Sequence, residues 1–158
     1  RDRSPSRGLG DVYKRQVRLR DRKSGAEFRV LDIHLDHKSD DARREQMKMI
    51  VGECAQYADG FPQIICGDFN SGIENAPVAC LRDAGWQEAY EAVHGPGEAG
   101  FTYHGFKGPD YRKKNARRID FIFVRGNLQP VAAEILRDKV DGLYPSDHYF
   151  LMSDFIIQ

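Results

Sequence analysis

Short apolar runs with the alternation typical of β-strands recur along this chain, and four of them border clusters of polar residues. The clusters, in chain order, are His34-Leu35-Asp36-His37, Gly67-Asp68-Phe69-Asn70, Arg118-Ile119-Asp120-Phe121-Ile122-Phe123 and Ser146-Asp147-His148. Because residues at the ends of neighbouring strands meet at one edge of a sheet, we expect these carboxylate, amide and imidazole groups to converge. Such groups suit a hard divalent cation and a phosphate ester under attack. The pattern predicts an α/β domain with one polar rim.

Length and composition describe one ordinary globular domain. At 158 residues the chain can bury a real core, but it is short for two domains of usual size. No apolar run approaches the roughly 20 residues that span a bilayer, so no transmembrane segment is predicted. We interpret the three cysteines as buried, reduced thiols and not as metal ligands or a disulfide, because no pair has CxxC spacing.

Residues 1–16 differ from the rest of the chain, because they are rich in Arg, Gly and Ser and contain no core-forming run. Residues 6–16 resemble a translated transposase-type sequencing adapter, so we expect the native domain to comprise residues 17–158. A basic nucleic-acid-binding arm is the alternative. Without residues 1–16 the chain has 19 basic and 22 acidic residues, and this net charge of −3 argues against a general polyanion binder.

From Val17 onward the pattern predicts alternating strands and helices. The first two strands form a hairpin around a Lys-Ser-Gly turn, and a helix then begins at the N-cap Ser39 and buries a stripe that includes Met49. The predicted strands are 17–20, 27–34, 63–66, 118–124, 131–136 and 149–157, with a short helix over 77–85 and a loop over 94–109.

Particular side chains in the four motifs suit phosphate-ester hydrolysis. Asp68 and Asn70 are two residues apart, so an extended backbone aims both to one side, where the carboxylate can activate water and the amide can hold a phosphoryl oxygen. A strand-end turn capped by the same two residues is the alternative. Asp120 can hold the tautomer of His148, the imidazole of His148 can stabilise charge on a phosphoryl group, and Asp147 can bind metal or water.

A basic cluster precedes the motif that contains Asp120. Its members are Arg112, Lys113, Lys114, Arg117 and Arg118. One interpretation is an electropositive lip for a nucleotide or a phosphorylated headgroup, and the other is a solvated loop. We count Arg118 among the candidate phosphate ligands, together with His34, Asn70 and His148.

In combination, the four motifs resemble those of the endonuclease/exonuclease/phosphatase superfamily, which has the deoxyribonuclease I-like fold. The resemblance extends from Val17 to the end of the chain. It implies a four-layer α/β sandwich that hydrolyses phosphodiesters or phosphomonoesters with Mg²⁺ or Mn²⁺. It also implies that Asp68 orients or activates the nucleophile, that Asn70 stabilises the transition state and that His34 contacts the scissile phosphate.

The same resemblance pairs Asp120 with His148 and places Asp147, with Asp68, in the metal and water network. It further implies an early Asn and a metal-binding Glu before the His-Leu-Asp-His motif, where this chain has only the adapter-like segment and a hairpin. We therefore expect residues 17–158 to be the C-terminal part of the sandwich, without the N-terminal sheet and the main metal carboxylate. Little Mg²⁺-dependent activity and a tendency to aggregate are expected of this fragment.

The expected substrate is a phosphate ester: a nucleic acid, a nucleotide or a phosphorylated small molecule. The His-Leu-Asp-His motif followed by an Arg-Glu-Gln helix is more similar to deadenylases and small bacterial members than to abasic-site repair enzymes. A catalytically dead phosphate- or nucleotide-binding module of the same fold is the alternative. The full-length protein is expected to be a monomer.

Overall fold

The computed structural model describes residues 14–97, 100–111 and 116–158. The strands are β1 (Lys14–Arg20), β2 (Glu27–His34), β3 (Gln63–Asp68), β4 (Gln87–Glu88), β5 (Asp120–Arg125), β6 (Leu128–Leu136) and β7 (Phe150–Ile157). The helices are α1 (Asp40–Cys54), α2 (Ala76–Asp83) and α3 (Ala89–His94), with a 3-10 turn at Gly108–Asp110. Among the described residues, no helix combines the length and apolarity needed to cross a membrane.

Five strands form one mixed sheet in the order β1-β2-β3-β5-β4. β1 and β2 make the predicted antiparallel hairpin, β3 runs parallel to β2, and β5 runs antiparallel to both β3 and β4. β6 and β7 form a separate antiparallel pair with an irregularity between Pro130 and Ala132. The mixed α/β class that the sequence predicts is therefore confirmed.

Apolar residues cover both faces of the five-stranded sheet. Leu31, Ile33 and Leu35 are at most 2% exposed, and they pack in one cluster with buried residues of α1 and α2. On the opposite face, Ile64 and Val124 pack with buried and half-buried residues of β6 and β7. The alternation along β2 thus assigns its faces correctly, because successive side chains of a strand point to opposite sides.

The helix α1 begins where the sequence predicts but buries a different methionine. The Ser39 hydroxyl oxygen accepts a hydrogen bond from the Ala42 N–H at 3.1 Å, as expected of an N-cap. Met49 is 52% exposed, whereas Met47 is fully buried. The prediction for Met49 is wrong because Met47 and Ile50, three residues apart, share the face that contacts the sheet.

All three cysteines are free. Cys54 is buried, and burial raises the pKa of the half-buried Cys66 thiol to about 11. Burial raises the pKa of each thiol, so all three stay protonated at neutral pH. The predicted burial is confirmed for Cys54, whereas Cys66 and Cys80 are only half-buried.

The strand β1 includes the last three residues of the adapter-like segment. Lys14, Arg15 and Gln16 pair with β2, and the side-chain oxygen of Gln16 accepts a hydrogen bond from the Arg29 guanidinium. Residues 1–13 lie outside the described part of the chain. The boundary of the native domain at Val17 therefore stays a prediction.

The sequence did not predict β4 and α3, which a buried ion pair holds against the sheet. The Arg118 guanidinium donates to both carboxylate oxygens of Glu88 at 3.1 and 3.2 Å, and each side chain is 1% exposed. The guanidinium carbon also lies 5.1 Å from the ring centre of Tyr90 and 4.7 Å from that of Phe121. The pair therefore ties α3 to the segment that leads into β5.

Replacing Arg118 by alanine is expected to lower the free energy of unfolding by about 3–5 kcal/mol, because Glu88 would stay buried without its cation. Urea unfolding followed by circular dichroism measures this change. The matched control is Arg82→Ala, since Arg82 pairs with Glu91 at 2.7 Å in a more exposed setting. Its loss should cost less than about 1 kcal/mol, so equal destabilisation by the two variants would contradict the assignment.

Candidate active site

Three strands carry polar side chains to one edge of the five-stranded sheet. His34 is the last residue of β2, Asp68 is the last of β3, and Asp120 is the first of β5. The strand register pairs His34 with Asp68 and Asp68 with Asp120. Because directly paired residues project from the same face, the three side chains form a row. The row lies on the face opposite Ile33 and α1, and it is the polar rim that the sequence predicts.

A glycine brings β2 and β3 close together immediately before Asp68. Gly67 has φ 130°, and a Cβ atom on it would lie 2.0 Å from the carbonyl oxygen of Ile33. Any side chain here would force β3 away from β2 and move Asp68 out of the row.

His148 joins the row from the segment before β7. Its Nδ1 lies 2.9 Å from Oδ2 of Asp120, and the two side chains are 23% and 14% exposed. The hydrogen bond to Asp120 raises the pKa of His148, although burial opposes the shift. The contact predicted from the sequence is therefore present, and it favours a charged imidazole whose Nε2 takes no part in the bond to Asp120.

Asp68 completes a compact cluster that suits a cation. One ligand atom from each of Asp68, Asp120 and His148 lies within 4.8 Å of the other two. Burial is the main cause of a raised pKa at Asp68, and the neighbouring Asp120 carboxylate raises it further. Because the two negative groups repel each other in a partly buried place, a divalent cation between them would relieve both effects. The donor set therefore fits the metal that the sequence predicts.

His34 occupies the outer end of the row. Its Nε2 lies 3.6 Å from Oδ2 of Asp68, which is too long for a hydrogen bond, and its side chain is 70% exposed. The ring is therefore available to a group bound beside Asp68.

Asn70 is placed by a turn and not by an extended strand. Its φ of 49° lies in the left-handed region, so the expectation that strand alternation aligns Asn70 with Asp68 is wrong. The Asn70 N–H donates to Oδ1 of Asp68 at 2.7 Å, and the side-chain amide donates to the carbonyl oxygen of Leu35 at 2.9 Å. These bonds match the alternative of a strand-end turn, and they still hold Asn70 beside the carboxylate.

Arg118 does not lie at the site. The prediction that it binds phosphate is wrong, because its buried guanidinium is bonded to Glu88. The preceding Arg117 is exposed instead and lies over Gly72, where an added Cβ would be 2.7 Å from the Arg117 Cδ. The other predicted members of the basic cluster, Arg112 to Lys114, lie outside the described residues.

Asp147 is half-buried and directly precedes His148 in the chain. Among the described residues, the cluster of possible metal ligands comprises Asp68, Asp120 and His148, without Asp147. Its backbone carbonyl accepts hydrogen bonds from the N–H groups of His104 and Gly105 at 2.8 and 3.1 Å. The Asp147 carboxylate is close enough to help raise the pKa of His148, though less than Asp120 does. Its place among the metal ligands stays a prediction.

Sequence reasoning missed the segment that contacts both Asp120 and His148. Thr102 bonds to the backbone of Asp120, and Tyr103 forms an antiparallel bridge with His148. The Tyr103 ring centre also lies 5.1 Å from that of the imidazole. The one sequence signal for this segment is the triplet Phe101-Thr102-Tyr103, which interrupts a loop rich in glycine.

Comparison with known proteins gives one family. The model of the endonuclease/exonuclease/phosphatase family matches residues 5–148. No curated protein matches this sequence.

Solved structures share the fold. A conserved protein of unknown function from Enterococcus faecalis V583 has 25% identity and a TM-score of 0.78, over 92% of this chain and 56% of that one. Mannosyl-6-phosphatase from Bacteroides thetaiotaomicron VPI-5482 has 21% identity and a TM-score of 0.76, over 90% and 56%. The human nocturnin catalytic domain with bound sulfate has 22% identity and a TM-score of 0.74, over 92% and 53%. The chain thus spans about half the length of these structures.

The pKa of His148 is expected to fall when Asp120 is replaced by asparagine, because the neutral amide no longer stabilises the charged imidazole. NMR titration of the His148 ring protons in metal-free buffer measures the shift. Asp59→Asn is the control, since the Asp59 side chain is 97% exposed and pairs with Arg125. An unchanged pKa in the Asp120→Asn variant would contradict the pairing.

Proposed function

Because this chain belongs to the endonuclease/exonuclease/phosphatase family, whose members are phosphoesterases, we propose that its protein hydrolyses a phosphate ester with a divalent cation and in-line attack by water. The observation that carries the proposal is the cluster of Asp68, Asp120 and His148. Fold similarity to a mannosyl-6-phosphatase and to a sulfate-bound nocturnin domain supports this class of reaction. The substrate is a phosphodiester or phosphomonoester of a nucleic acid, a nucleotide or a small molecule, and the protein acts as a monomer.

Asp68 orients or deprotonates the attacking water. Its Oδ1 already accepts the Asn70 N–H, so Oδ2, on the side of His34, is the oxygen that accepts from water. Without a cation, burial raises the pKa of Asp68, which favours proton uptake by this carboxylate, whereas a bound cation would lower the pKa and favour orientation of the water.

The charge that develops on the phosphoryl group is stabilised by neighbouring donors. His148, held by Asp120 through Nδ1, offers Nε2–H to a phosphoryl oxygen, and its raised pKa keeps the imidazole charged to higher pH. Asn70 offers a further amide donor, and the exposed His34 contacts the phosphate from the outer end of the row.

Asp68 and Asp120 are the carboxylates that would hold Mg²⁺ or Mn²⁺, and Asp147 is a further candidate from the sequence. When bound, the cation neutralises phosphoryl charge and lowers the pKa of a coordinated water. Asp120 is already hydrogen-bonded to His148, so a cation would compete with the imidazole for this carboxylate. Asp68 is the carboxylate of the cluster that has no hydrogen bond to an imidazole. We therefore expect weak metal binding by this chain alone. The same feature favours the alternative, a module that binds phosphate without turnover.

The chain alone is expected to hydrolyse bis-p-nitrophenyl phosphate and p-nitrophenyl phosphate slowly or not at all in Mg²⁺ or Mn²⁺. In a longer form that includes the upstream half expected from the resemblance, Asp68→Asn and His148→Ala should each lower kcat by about 10²–10⁴-fold, the usual contribution of acid–base groups. Release of p-nitrophenol measures both effects, and circular dichroism checks folding.

The control for these assays is Asp59→Asn, at an exposed position. Robust hydrolysis by the chain alone would contradict the expected weak metal binding. Near-normal turnover by folded Asp68→Asn or His148→Ala protein would contradict the role of the residue changed. A longer form that binds inorganic phosphate without any turnover would support the binding module instead.

A further inference from the structure

Thr102 lies where the two segments that carry Asp120 and His148 meet. It is fully buried. Its Oγ1 accepts hydrogen bonds from the backbone N–H groups of Ile119 and Asp120 at 3.1 and 3.3 Å. Its backbone carbonyl accepts from the N–H of Tyr149 at 2.9 Å. One residue therefore bonds to the backbone at Asp120 and next to His148.

The residues that follow Thr102 strengthen the attachment to His148. Tyr103 forms the antiparallel bridge with His148 itself. The His104 and Gly105 N–H groups donate to the Asp147 carbonyl, and the buried His104 ring lies with its centre 4.2 Å from that of Tyr149. Several independent contacts thus fix the backbone on both sides of His148.

Thr102 is attached to the Asp120 segment through a single side-chain oxygen. The other side of the same strand end is held by β3, through its pairing with β5 and through the bond from the Phe69 N–H to the Ile119 carbonyl at 2.8 Å. Asp120 is the first residue of β5, and its N–H and that of Ile119 both use Oγ1 of Thr102. A partly buried N–H that loses its acceptor is less stable, so removal of this oxygen favours movement of the strand end. The Asp120–His148 distance of 2.9 Å leaves little room for such movement, because a shift of about 1 Å would make the contact too long for a hydrogen bond.

We propose that Thr102 is a positioning residue whose side-chain oxygen sets the distance and angle between Asp120 and His148. The oxygen holds the strand end that carries Asp120, while the backbone of the same residue holds the segment that carries His148. The effect on geometry is independent of the reaction, whereas its catalytic consequence rests on the proposed function.

Three variants of the purified chain test this proposal. Thr102→Val keeps the side-chain shape without the acceptor, Thr102→Ala removes the acceptor with less bulk, and Thr102→Ser keeps it. In the valine variant we expect amide hydrogen exchange at Ile119 and Asp120 to be about tenfold faster, as for loss of a typical buried hydrogen bond. The low-field proton resonance of the His148 imidazole N–H bonded to Asp120 should shift or disappear. The serine variant should restore both signals.

The outcomes separate positioning from a general structural role. Unchanged exchange and an unchanged imidazole resonance in Thr102→Val would overturn the proposal. So would a folded serine variant that behaves like the valine variant, because packing of the methyl group would then be responsible. If Thr102→Val unfolds, amide exchange and the imidazole resonance are compared between the Thr102→Ala and Thr102→Ser variants instead, with the same expected and contradicting results. Unfolding of both the valine and the alanine variant beside a native serine variant would assign the oxygen to overall stability and overturn positioning.

None of these measurements requires hydrolysis, so failure of the proposed function and failure of the positioning role are distinguishable. In a form that turns over, Thr102→Val should lower kcat about tenfold with little change in KM, and Thr102→Ser should recover the rate. A lower affinity with unchanged kcat would contradict positioning of the Asp120–His148 pair.

Discussion

The site depends on the hydrogen-bonded register of β3, which pairs with β2 on one side and with β5 on the other. A slip of one residue in either pairing would send Asp68 and its neighbour to opposite faces of the sheet, because the side-chain period of a strand is two. This register requires glycine at position 67, since a Cβ there would collide with the Ile33 carbonyl. The row of His34, Asp68 and Asp120 is thus a consequence of backbone pairing. It does not depend on contacts among the three side chains.

Burial acts on two acidic residues in different surroundings, the buried Glu88 and the half-buried Asp68. Burial raises the pKa of both Glu88 and Asp68. Glu88 has a bidentate arginine partner with almost no exposure, and the pair holds β4 and α3 in place. Among the described residues, no lysine or arginine forms an ion pair with Asp68, which faces another carboxylate instead. Asp68 therefore retains the capacity to bind a cation, whereas the Arg118 guanidinium already occupies that place at Glu88.

The sequence predictions were right where alternation or residue type decided the outcome, and wrong where a turn or a distant partner intervened. The burial of Ile33 and the outward position of His34 on β2 follow from alternation, which is a local property of the chain. The pairing of Asp120 with His148 was also predicted, because only a few residue types can orient an imidazole. The extended backbone predicted at Asn70 and the phosphate contact predicted for Arg118 are wrong for different reasons. A left-handed turn replaced the extended backbone at Asn70, and a glutamate thirty positions away in the sequence withdrew Arg118 from the surface.

By itself, the sequence determined the α/β class, the strand ends at which polar groups appear and the chemistry that those groups can perform, because residue type and short-range periodicity carry this information. Apart from the pairing of Asp120 with His148, the tertiary structure alone decided which of the polar groups meet. It brought Asp68 to that pair, placed Arg118 with Glu88, and inserted Thr102 between two distant segments. The physical reason is that strand order, close approach and burial arise from pairing between residues far apart in the chain, for which no local pattern exists.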